Sequence, residues 1–91
     1  MRVFRITLTG HNRHGQRLWV NFECSAQSVA ELMQRLDEDR ELYGYQLFTR
    51  VDPEAPRTLE VTDAKEVILG RDAIYKIEVP DNWRFVRYEE A

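Results

Sequence analysis

Ninety-one residues are enough for one domain and too few for two, and a composition that is 43% hydrophobic and 11% aromatic belongs to a chain that folds. The formal net charge of -3 makes it neither a polycation nor an acidic tail, and no run approaches the roughly 20 apolar residues of a membrane-spanning helix. The single cysteine, Cys24, cannot form an internal disulfide and falls short of a Cys-rich zinc cluster.

The start Met1-Arg2-Val3-Phe4-Arg5 carries charges where a signal peptide has its apolar segment, so a cytoplasmic location is expected. Phe4, Ile6 and Leu8 then alternate with Arg5, Thr7 and Thr9, which predicts a first strand with one face in a core. After the loop at 10–16, Leu18, Val20, Phe22 and Cys24 alternate with Arg17, Trp19, Asn21 and Glu23. This is a second strand, antiparallel to the first across a long, glycine-bounded loop.

Ser28-Val29-Ala30-Glu31 matches a capping box, in which serine and glutamate side chains satisfy backbone N–H groups at a helix start. Val29, Leu32, Met33 and Leu36 follow as one apolar stripe to lie on the sheet, with Glu31 and Arg35 paired on the outer surface. The helix gives way near residues 42–44 to a third strand at 45–51. Two prolines make 52–56 an exposed connection.

Leu59 and Val61 predict a short strand. Residues 66–69 and 73–79 predict two longer ones about Gly70-Arg71 as a type II′ turn, matching Val67 with Ile74 and Ile68 with Ala73. Pro80-Asp81-Asn82 turns the chain into a last strand at 83–88. The order β-β-α-β and then further strands predicts an α+β fold. It is a mostly antiparallel sheet with one amphipathic helix packed on it, in a single domain over 1–91.

Candidate chemistry is sparse. His11 and His14 have an H-x-x-H spacing, but in a hairpin loop that spacing fixes no common face, so they read as solvent-exposed and no metal or other cofactor is expected. Cys24 continues the row of its strand that faces the core, where a thiol behaves as a small apolar group and not as a nucleophile. G-x-S-x-G, P-loop, Rossmann and HExxH patterns are all missing, and the expectation is a protein that is not an enzyme. Asp37-Glu38-Asp39 and Glu41, gathered near the helix end, read as a solvated cluster.

Two features point toward binding. Trp19 is out of phase with its strand's apolar row and therefore shares a face with Arg17, Asn21 and, across the hairpin, Arg5 and Thr7. The second feature is charge: Arg2, Arg5, Arg13 and Arg17 precede Glu23 with no acid among them, while all 16 acids lie from Glu23 onward. The terminal strand repeats the aromatic-arginine mixture, with Arg84, Arg87 and Tyr88 beside Trp83 and Phe85, which read as core.

The function expected is a small regulatory or inhibitory module that binds another protein, with Arg13, His14, Arg17, Trp19, Arg84 and Arg87 as contact residues. In size and lack of motif it resembles small phage or mobile-element proteins that inhibit a host enzyme. The alternative is nucleic-acid binding, with Arg2, Arg5, Arg13 and Arg17 on phosphates and Trp19 on a base. An unpaired edge strand also offers a second copy a pairing site for a homodimer.

Overall fold

The alternation at the start of the chain becomes a hairpin in the computed structural model, which describes residues 1–87. Strand β1 (Arg2–His11) pairs antiparallel with β2 (Arg17–Cys24), placing Phe4 opposite Phe22 and Ile6 opposite Val20. The connection is tighter than the sequence suggests, because β1 runs on to His11. Asn12 closes the turn: its N–H donates to the Gln16 carbonyl at 2.9 Å, and its Oδ1 accepts from the N–H groups of His14 and Gln16 at 2.9 and 3.1 Å.

Helix α1 (Val29–Asp39) starts as the capping box requires, with the Glu31 N–H donating to Ser28 Oγ at 3.1 Å. The return arm reaches one residue further back than in the usual box, since Glu31 Oε2 accepts from the N–H of Gln27 at 2.6 Å. Leu32 and Leu36 are fully buried on one sheet face with Phe4, Ile6, Phe22, Cys24, Ala26 and Leu42, and Met33 lies at the exposed margin of the stripe. Fully burying a side chain such as Phe4 contributes about 2–3 kcal/mol. The Arg40 N–H donates to the Leu36 carbonyl at 2.9 Å in a left-handed cap that turns the chain directly into the next strand. Of the acidic cluster, Asp37 is paired with Arg71 at 3.0 Å.

Strands β3 (Glu41–Val51) and β4 (Thr58–Gly70) form a long antiparallel ribbon from Glu41 opposite Gly70 to Val51 opposite Leu59. The two strands expected within 59–69 are therefore one. The type II′ hairpin at Gly70-Arg71 is not formed: Gly70 has φ -73°, not the positive φ such a turn needs, and residues Arg71–Ala73 make a single 3-10 turn. That turn carries β5 (Ile74–Glu78) away from β4 and across to β1, where Ile74 pairs with Leu8 and Ile77 with Ile6. The strands that carry 67–69 and 74–77 thus pair with different neighbours, β3 and β1, and not with each other.

Among the described residues the sheet has six strands in the order β5-β1-β2-β3-β4-β6, all neighbours antiparallel except β4 and β6 (Arg84–Arg87), with α1 on one face. Residues 79–83 must join strands at opposite edges. At about 3.4 Å per residue the path from Glu78 to Arg84 reaches about 20 Å, while five strand spacings in a flat sheet total about 24 Å. The sheet therefore curls toward the face opposite α1. An ion pair of 2.5 Å between Arg87 on β6 and Glu23 on β2 spans this hollow, and Asn21, Leu47, Leu59 and Val61 are buried in it. Trp83, 38% exposed, and half-buried Phe85 line a surface depression with Met1, Arg2 and Val3, so neither takes the core position expected for it. The last residue expected in this strand, Tyr88, lies outside the described residues.

Candidate functional site

On the face of the β1–β2 hairpin away from α1, Thr7 is paired with Trp19 and Arg5 with Asn21. The Arg5 guanidinium lies 4.4 Å from the centre of the Trp19 ring, which is 51% exposed. Arg17, next in the same row, is 3.7 Å from the ring of Tyr75 on β5 and donates from Nη1 to the Thr9 carbonyl at 3.1 Å. The result is two guanidinium-aromatic stacks side by side on paired strands, with each aromatic more than half exposed and Lys76 beside Thr7.

The sheet is irregular at this level. Register shifts fall between Thr7 and His11 in the β1–β2 ladder, between Thr7 and Leu8 in the β1–β5 ladder, and between Phe48 and Thr49 in the β3–β4 ladder. Such bulges bend strands and re-aim side chains. The shift against β5 carries Tyr75 as the extra residue, which sets its ring under Arg17. Beneath the stacks, Asn21 is 4% exposed with no hydrogen-bond partner for Oδ1, and Nε of Arg5 is likewise buried and unpartnered.

The expected contact residues are brought together only in part. Arg17 and Trp19 sit in the stacked cluster. Arg13 and His14 stand exposed in the hairpin turn beyond Arg17. Arg87 points into the hollow toward Glu23, on the same face of β2 as Trp19, whereas Arg84 is on the other side of β6 by strand alternation. Arg5, expected among the phosphate contacts of the nucleic-acid alternative, joins the cluster with Tyr75 and Lys76, which the sequence did not point to; nothing local marks Tyr75.

Chemistry elsewhere is limited. Among the described residues no three His, Cys, Asp or Glu side chains gather as a metal site, and no helix is long and apolar enough to cross a membrane. Cys24 is buried, and burial, outweighing a hydrogen bond from the backbone of Ala26, pushes its thiol pKa up, away from the reactive thiolate.

No family model, curated protein or solved structure matches this chain.

Proposed function

We propose that this chain is a small non-enzymatic module that binds another protein, regulating or inhibiting it, through the face of the β1–β2 hairpin that carries Arg5, Arg17 and Trp19. The observation that supports this most is the pair of guanidinium-aromatic stacks, Arg5 on Trp19 at 4.4 Å and Arg17 on Tyr75 at 3.7 Å, with both rings exposed. Tryptophan, tyrosine and arginine dominate binding energy at protein interfaces. Here neighbouring strands hold them, so little side-chain freedom is left to lose on association. Arg13 and His14 extend the surface toward the hairpin tip, and Arg87 borders it from β6, while Arg84 lies on the other side of that strand.

The test is a double substitution, Arg17→Ala with Trp19→Ala, in a pull-down from a lysate of the source cell. The expected result is loss of a stoichiometric protein partner with the melting temperature nearly unchanged. A large fall in melting temperature makes Trp19 a core residue and removes the reading.

Nucleic-acid binding is the second reading, supported by the four arginines before Glu23 and by the exposed ring of Trp19, a platform of the kind on which bases stack. The net charge of -3 opposes it, since non-specific affinity for phosphates comes from positive charge. Absence of binding to single- and double-stranded probes at low salt ends it.

A further inference from the structure

Strand β2 is joined to β3 over three positions only, Asn21 to Leu47, Phe22 to Gln46 and Glu23 to Tyr45. Past Asn21 the two strands part, because β3 bends away with β4 at the bulge after Phe48. Among the described residues, the segment Arg17–Val20 therefore keeps β1 on one side and has no partner strand on the other. An unpaired strand edge offers N–H and C=O groups at the spacing of an incoming extended chain.

The side chains along this edge differ by face. Toward the α1 side are Leu18, 49% exposed, half-buried Val20 and, across the gap on β3, Phe48, 40% exposed. On the opposite side are Arg17, Trp19 and Arg5, with no acidic residue before Glu23. A strand laid on the edge would present alternate side chains to an apolar surface and to a basic aromatic one.

Resting on the protein-binding reading above, we propose that the Arg17–Val20 edge of β2 accepts, as an added strand, an extended segment of another protein in which acidic and apolar residues alternate. A second copy of this chain does not supply that segment. Two β2 edges would bring both copies of Arg17 onto one short ladder with no acidic residue before Glu23 to meet them, and the described outer strands carry Arg84 and Arg87 on β6 and Lys76 beside Glu78 on β5. Charge complementarity thus selects a partner of different sequence.

The test uses a displayed library of random peptides of about ten residues, long enough to cover one strand edge. The expected result is enrichment of peptides that alternate acidic and apolar residues, with slowed amide exchange within Arg17–Val20 on binding. Methylating alternate peptide nitrogens, which removes N–H donors and keeps charge, should abolish binding. Arg17→Glu should weaken it by about tenfold or more, and exchanging the peptide's glutamates for lysines should restore it.

Equal binding by the methylated peptides overturns strand addition, as does failure to enrich any peptide, or protection of the same amides by self-association. The pull-down with the Arg17 and Trp19 substitutions is an independent result. If it still loses its partner, the protein-binding reading stands and only the mode of binding is wrong.

Discussion

A Cβ placed on Gly44 would lie 2.5 Å from the Glu23 carbonyl oxygen and 2.5 Å from Cζ of Phe22, closer than real atoms approach. The phenyl ring of Phe22 is itself fully buried and has nowhere to retreat. Gly44→Ala should therefore lower stability by roughly 1–3 kcal/mol in urea denaturation. An unchanged midpoint would mean that β2 and β3 separate at no cost.

Cys24 makes a pH prediction at the same scale. Its folded pKa is raised by burial above the ordinary 9.0, so above that pH the unfolded chain releases a proton that the folded chain retains. This contribution to stability is fully present below about pH 9 and is lost as pH rises toward the folded value. Cys24→Ala should flatten that alkaline decline, and a thiol reagent should label the native protein far more slowly than the unfolded one. The burial was legible in the sequence, because Cys24 shares the phase of Phe22.

At the scale of elements, the N-terminus of α1 rests on two side chains, Ser28 and Glu31. Ser28→Ala should cost about 1 kcal/mol in denaturant melts, because the Glu31 N–H loses its acceptor. An effect near zero would show that Glu31 carries the cap through Gln27. The helix and the first two strands were legible because their periods of 3.6 and 2 are properties of the local backbone. The arrangement of β4 and β5 was not. Val67, Ile68, Ala73 and Ile74 make both faces apolar on either side of Gly70, a pattern equally suited to a hairpin and to two strands that never meet. The long pairing of β4 with β3 decides the matter, since it leaves β5 to cover the outer side of β1.

For the whole molecule, the hollow opposite α1 is bridged by Arg87 and Glu23 at 2.5 Å, with the Glu23 side chain only 14% exposed. Arg87→Ala leaves a mostly buried carboxylate without this partner. The expected loss is about 1–3 kcal/mol, and adding Glu23→Gln should recover part of it, as measured by a double-mutant cycle. Additive effects would show that the curl of the sheet does not depend on this contact. Half of the candidate site was legible for a local reason: Trp19 broke the phase of its strand, which placed it with Arg5 and Arg17. Tyr75 and the free edge of β2 were not legible, because each depends on which strand lies alongside.

Side-chain direction follows from the dihedral angles of each residue and its neighbours. The sequence by itself therefore determined that Phe4, Ile6, Phe22, Cys24, Leu32 and Leu36 face one core and that Trp19 turns away from it. Strand neighbours are joined by main-chain hydrogen bonds that any two sequences can make. Only the tertiary structure decided that β5 pairs with β1, that the sheet curls until Arg87 meets Glu23, and that β2 and β3 part beyond Asn21, since packing over the whole chain chooses among pairings that are locally equivalent.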